Sequence, residues 1–307
     1  MCWNRLKKAG RFLAVLGQPL RWILASLLCA GLWWGGGQSA IAGSFDQGLT
    51  ALRAGDYNAA AVYLDQAIAQ GDHRAAAYQQ RCGVAVQMDD AEGAIAPCTA
   101  ALTANPNAVD PYLYRGLAHY RLGQYGPAQA DLTQYLRHRP DDGLAYYNRG
   151  LVAFAQASYD QAIADYHRAL DYQAQLSSPA LAQVYNDLGL AHWAQAQPAV
   201  AHAYLDHAIA LDGNNLRAYY NRGCVCHHQR QYVAALADFE QVLALNPTHA
   251  ETYLNRGMVR RQLGDRDGAI SDWQRAADYF QTQGQMTGYH QARQLLRQSQ
   301  STAVALG

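Results

Sequence analysis

A glycine returns along this chain at a nearly fixed interval. It stands at Gly48, Gly83, Gly116, Gly150, Gly189, Gly223 and Gly257, with spacings of 35, 33, 34, 39, 34 and 34 residues. Twelve residues after six of these glycines comes an alanine (Ala60, Ala128, Ala162, Ala201, Ala235, Ala269). In the second unit Ala94 follows after eleven, so that unit has lost one loop residue. Sixteen after the glycine stands a large apolar residue: Leu64, Leu132, Tyr166, Leu205, Phe239 or Trp273. The hexapeptide Ala-Tyr-Tyr-Asn-Arg-Gly occurs twice, at 145–150 and 218–223. Within each unit apolar and small residues fall at helical intervals, interrupted near 55–57, 123–125 or 264–266, which predicts two short helices per unit. Glycine inside a helix costs about 1 kcal/mol against alanine. Its return at one place therefore implies a close helix crossing, with the matching alanine as the opposing small residue. Pro106, Pro140 and Pro247 close second helices.

The period and the Gly, Ala, aromatic and Pro positions resemble the tetratricopeptide repeat (TPR) family. That resemblance implies an all-α fold: a right-handed superhelical solenoid of about seven helix-turn-helix repeats plus a C-terminal capping helix. The expected layout is a separate segment at 1–42, repeats over 43–284, a capping helix at 285–299 and a flexible tail at 300–307. Departures from the family pattern are a five-residue insertion around Gln173–Pro179 and weaker first and second repeats.

The overall charge hides two unlike pieces. Lys plus Arg total 24, as do Asp plus Glu. Arg5, Lys7, Lys8, Arg11 and Arg21 all precede the first acid, Asp46. An apolar run from Trp22 to Trp34 follows, then Gly35–Gly37 and Ala40-Ile41-Ala42. A positive start, a short apolar stretch and a small-x-small end describe a secretory signal peptide, cut between Ala42 and Gly43. The alternative is a retained membrane anchor over 22–37, which falls short of the roughly 20 residues a spanning helix needs. Either way the repeats are expected on the exported side, in a periplasm or, in a photosynthetic bacterium, a thylakoid lumen. Membrane contact would come only through the N-terminal segment, if uncleaved. After residue 42 there remain 19 basic residues, all arginine, against 24 acids, a net of −5. A chain with that balance offers no basic excess for nucleic acid. With no lysine beyond Lys8, enzymes that depend on a P-loop, kinase or Schiff-base lysine are excluded.

Two further positions vary together. Arg115, Arg149, Arg222 and Arg256 stand just before their glycines, and sixteen residues on stand Asp131, Asp165, Asp238 and Asp272. The other three units lack both members: Gln47 with Tyr63, Cys82 with Cys98, Leu188 with Tyr204. Sites that switch together point to contact, so an Arg–Asp bridge is expected between the two helices of units three, four, six and seven. Cys82 and Cys98 occupy the same slots, either as a disulfide, which an exported compartment permits, or as two buried thiols.

Cys224, His227 and His228 share one helix face at spacings of three and four, a ligand set that suits zinc or copper. The plainer reading is a small hydrophobe beside two polar groove residues, because structural zinc sites usually take four ligands. No metal or other cofactor is expected. No Gly-x-Ser-x-Gly, His-Glu-x-x-His or Gly-x-Gly-x-x-Gly occurs, so no catalytic residue is assigned and the chain is read as a non-enzyme.

In TPR proteins the concave groove is lined from positions three and two before the glycine and one, four and five after it. By that resemblance the groove here comprises Tyr120, Tyr147, Asn148, Leu151, Phe154, Asn186, Leu190, Trp193, Tyr220, Asn221, His227 and Asn255. The aromatics would supply contact area and the amides would bond the backbone of an extended peptide. About half of the rings are expected simply to pack between helices. The carboxylate clamp that binds chaperone tails is missing its basic residue. The function implied is a scaffold for a protein or peptide partner. The alternatives are a metal-binding or redox protein and an accessory subunit of an envelope enzyme.

Overall fold

A computed structural model of the protein describes residues 43–304, with side chains to 299. The segment 1–42, with its signal-peptide or anchor reading, lies outside the described residues. Fifteen α-helices and no strand occur among the described residues. No described helix is long and apolar enough to cross a membrane.

The helices fall into two compact units, described residues 43–176 and 177–304. The first holds four hairpins: α1 (Ser44–Arg53) with α2 (Tyr57–Gln70), α3 (Arg74–Gln87) with α4 (Ala91–Ala104), α5 (Asp110–Arg121) with α6 (Tyr125–His138), and α7 (Gly143–Ala155) with α8 (Tyr159–Asp171). A 3₁₀ turn, Gln173–Gln175, ends it. The second holds three: α9 (Ser178–Ala194) with α10 (Pro198–Leu211), α11 (Leu216–His228) with α12 (Tyr232–Leu245), and α13 (Ala250–Gln262) with α14 (Arg266–Thr282). A final helix, α15 (Met286–Val304), packs on α14. Within each unit every second helix packs on the first helix of the next hairpin, which buries an apolar face no hairpin could cover alone.

The recurrent glycine is explained by what a side chain there would strike. A Cβ on Gly150 would lie 2.6 Å from the ring of Tyr166, and one on Gly257 2.6 Å from Trp273. Both would also press on the carbonyl of the alanine twelve residues on, Ala162 and Ala269, at 3.3 and 3.1 Å. The crossing thus needs glycine on one helix because a large residue fills the gap from the other. Those large residues form the core: Leu64, Leu132, Tyr166, Leu205, Phe239 and Trp273 are all buried. The second hairpin, short by one residue, differs: beside Gly83 the nearest group is the ring of Tyr114 in the next hairpin.

Turns between paired helices hold one residue each in the left-handed region. Gly55, Gly123 and Gly264 supply it in three hairpins; Asp89, Ala157, Ala196 and Arg230 supply it in four. A non-glycine residue there carries about 1–2 kcal/mol of steric strain.

Two boundaries differ from the sequence expectation. The last helix runs to Val304, where the sequence predicts a flexible tail from 300. Between Gly288 and Val304 there is neither glycine nor proline to stop it, and Ala292, Leu295 and Leu296 anchor it in the core with Trp273 and Phe280. The insertion around 173–179 becomes the 3₁₀ turn and the first turn of a longer α9, capped by the Ser177 hydroxyl accepting from the Ala180 N–H. It also contains the boundary between the two units.

Candidate functional site

The Arg and Asp slots sit one step from the glycine crossing, on facing helices. Arg115 donates to Asp131 through Nε and Nη2 at 2.8 Å each. Arg149 meets Asp165 at 2.9 and 2.6 Å, Arg222 meets Asp238 at 3.0 and 2.6 Å, and Arg256 meets Asp272 at 2.9 and 2.7 Å. All four pairs are bidentate, the geometry that makes Arg–carboxylate pairs strong. All four aspartates are buried. The remaining guanidinium nitrogen of three arginines reaches back to the preceding hairpin: Arg115 to Thr99, Arg149 to Thr133, Arg222 to Asp206. Hydrogen bonding to Asp238 and then to Asp206 outweighs burial and holds Arg222 above the ordinary arginine pKa. Cys82 and Cys98 form a disulfide at the same slots of the second hairpin, with Cα atoms 4.8 Å apart.

These pairs hold the first helices in register and so fix the face that the repeat positions mark as a groove. Nine of its twelve assigned residues are buried; Tyr120, Tyr220 and His227 are half-buried. In the first unit Tyr147 packs against Tyr166 at 5.8 Å between ring centroids, and Phe154 meets Tyr159 edge-on at 5.4 Å. Leu151 is buried beside them in sequence, and Tyr120 tilts against Tyr125 at 6.0 Å. Asn148 is 5% exposed, and its Nδ2 has no hydrogen-bond acceptor.

In the second unit the amides are joined from one hairpin to the next. Asn221 Nδ2 donates to Asn186 Oδ1 at 2.8 Å, and Asn255 Nδ2 donates to the Tyr220 hydroxyl at 2.8 Å. Asn186 passes its own N–H to Asp187 Oδ1 at 2.8 Å, which also accepts from Arg217 at 3.3 Å. Arg217 donates in turn to Gln183. Leu190 and Trp193 are buried on the same helix, α9. Sequence reasoning passes over Asp187, Arg217 and Gln183. A signal for Asp187 exists: it holds the slot two before the glycine that is asparagine in the hairpins of Asn148, Asn221 and Asn255.

Cys224 is buried, with Asn255 Nδ2 3.9 Å from its Sγ. His227 leans on Tyr232, its ring centroid 6.0 Å away, and burial lowers its pKa. His228 is exposed. Among the described residues no three His, Cys, Asp or Glu side chains converge as metal ligands would. Cys226 is a buried free thiol whose pKa burial pushes up to about 11, a state unsuited to attack or ligation at neutral pH.

Comparison with known proteins agrees with this geometry. Residues 141–214 and 216–249 match family models described as tetratricopeptide repeat. Among solved structures, a tetratricopeptide repeat protein from Parabacteroides merdae aligns with a TM-score of 0.59 at 17% identity, covering 84% of this chain and 97% of that one. PilF of Pseudomonas aeruginosa aligns at 0.60 and 19%, covering 72% and 97%. YrrB, described as a TPR protein with an unusual peptide-binding site, aligns at 0.50 and 23%, covering 64% and 97%. At these identities the likeness shows the fold. This chain carries tetratricopeptide repeats, and its hairpins adopt the all-helical TPR fold.

Proposed function

We propose that this protein is a non-enzymatic scaffold that holds an extended segment of a protein partner against the first-helix face of its repeats. TPR proteins as a class bind protein or peptide partners, and YrrB is described as having a peptide-binding site. The observation that carries the reading here is Asn148. Its side-chain N–H group is buried without an acceptor, a state that costs about 1–3 kcal/mol. A backbone carbonyl of a bound segment would satisfy it. The rings of Tyr147 and Phe154 flank it in sequence and offer the apolar contact area that dominates binding hot spots. Because Asn148 is nearly enclosed, binding requires neighbouring rings to turn aside, a side-chain rearrangement common at interfaces.

We place the scaffold on the exported side of a membrane. The Cys82–Cys98 disulfide supports that reading, since such bonds persist in oxidising compartments, as does the positive-then-apolar composition of 1–42. N-terminal sequencing of protein from its native host should find Gly43 first; an intact Met1 would favour the anchor reading. For the binding role, Asn148→Ala should weaken partner capture about tenfold or more while leaving the fold intact. Full capture by a folded Asn148→Ala protein would refute it.

A further inference from the structure

Four rings stand in two pairs on adjacent hairpins of the first unit. In the third hairpin Tyr120, four residues after the glycine, tilts at 47° against Tyr125, nine after it, with centroids 6.0 Å apart. In the fourth, Phe154 and Tyr159 hold the same two slots and meet at 64° and 5.4 Å. Tyr120, Tyr125 and Tyr159 are half-buried, so each pair keeps a ring partly open to solvent. Elsewhere the pattern breaks. Gln87 takes the first slot in the second hairpin. In the second unit the ring pair His227–Tyr232 lies between hairpins that carry Trp193 with Pro198 and Arg261 with Arg266.

The spacing of the two pairs selects a ligand. α5 and α7 pack side by side, and helices in contact lie about 8–10 Å apart. A polyproline II segment turns once in three residues, a repeat of about 9.3 Å. It can seat every third residue on successive ring pairs. An extended strand repeats on one face every ~6.6–6.8 Å and an α-helix every ~5.4 Å, so both drift out of step. The hydrogen bonding agrees. A proline-rich segment brings carbonyls that have no internal partner and few N–H groups. The group left over on α7 is of the complementary kind: Asn148 Nδ2, a buried donor without an acceptor. In the second unit the matching amides are already joined to Asn186 and Tyr220. Charge adds a preference. Residues 43–176 carry nine arginines against fourteen acids, a net of −5. Asp90, Glu92 and Asp160 are exposed at the turns of the second and fourth hairpins, and Arg121, next to Tyr120, is paired with Asp89.

We infer, on the scaffold reading above, that the segment held by the first unit is proline-rich and basic. It binds in the polyproline II conformation, with prolines three apart seated on Tyr120–Tyr125 and Phe154–Tyr159. Pyrrolidine rings against aromatic rings, on a segment already stiff when free, give affinity at little ordering cost.

Fluorescence anisotropy of the full-length chain with a labelled Pro-Pro-Arg repeat of about twelve residues tests this, against a Gly-Gly-Arg repeat of equal length and charge. The proline peptide should bind at least about tenfold more tightly. Tyr125→Ala and Tyr159→Ala should each weaken its binding about tenfold. Tyr159→Phe should restore it, and Tyr232→Ala, in the second unit, should leave it unchanged. Circular dichroism establishes that the variants are folded. Equal binding of the two peptides, no binding of either, or full affinity in folded Tyr125→Ala and Tyr159→Ala would overturn the inference. If that happens while partner capture still depends on Asn148, the scaffold reading survives alone; if capture is also indifferent to Asn148, both fall.

Discussion

The hexapeptide Ala-Tyr-Tyr-Asn-Arg-Gly stands in both units, and its asparagine does different things in each. Asn221 is tied to the preceding hairpin through Asn186. Asn148, with the same five neighbours, has a donor that meets no acceptor. The cause lies 35 residues upstream. Asn221 looks back to position 186, an asparagine, and Asn255 looks back to position 220, a tyrosine; both offer oxygen. The matching residue for Asn148 is Leu113, which is buried and offers none. Identical local sequence thus yields a structural amide in one place and an unsatisfied one in another, because a repeat's chemistry is completed by its neighbour.

The largest expected effect tests what the two copies share. Arg149→Leu would leave Asp165 buried without its partner and should cost about 3–5 kcal/mol of stability. Replacing Asp165 with leucine as well should recover most of that loss, since a buried ion pair can be exchanged for apolar groups at little cost. Urea denaturation of the single and double variants decides; a double variant as weak as the sum of its parts would deny the coupling. The copies should then separate. Asn221→Ala breaks the bond to Asn186 and should cost about 1–3 kcal/mol. Asn148→Ala removes an unsatisfied donor and should be neutral or stabilising by up to about 1 kcal/mol. Equal losses at both sites would abolish the distinction.

Smaller effects sharpen it. Seven residues after each copy's glycine, Ala157 and Arg230 sit at φ of 59° and 61°. Glycine at either should stabilise by about 0.5–1 kcal/mol, the relieved strain less glycine's entropy cost; thermal midpoints would show it. The second copy alone faces a half-buried histidine. His249 lies 5.4 Å from Tyr220 and its Nδ1 pairs with the Thr252 hydroxyl at 2.8 Å. Burial lowers its pKa, with Glu251 opposing. The folded state therefore takes up that proton less readily than the unfolded chain, whose histidine titrates near about 6.5. Stability of 177–304 should be fully present above that value and decline as pH falls through it. His249→Gln should flatten the decline as pH falls from neutral into the acid range.

Much of the fold was legible because it follows from spacing. Gly150 and Tyr166, or Gly257 and Trp273, declare a helix crossing by their interval alone, and the Arg and Asp slots declare their relation by varying together. The course of α15 was less so, since its last residues, 300–304, carry no apolar stripe to announce a helix. The candidate site was legible in position and not in state. Counting from the glycine selects Asn148, Asn221 and Asn255, but only a comparison with Leu113, Asn186 and Tyr220 one hairpin earlier tells which amide is already engaged. Burial was the least legible: the repeat position does not announce that Trp193 is 2% and Phe154 6% exposed.

The most direct measurement is partner capture from extracts of the native host, quantified by mass spectrometry for wild type, Asn148→Ala and Leu113→Asn. The last variant would hand Asn148 an internal acceptor of the kind Asn186 gives Asn221. Both variants should remain folded and lose the same co-purifying protein by about tenfold or more. Wild-type recovery of that protein by both variants would contradict a partner-binding role for Asn148.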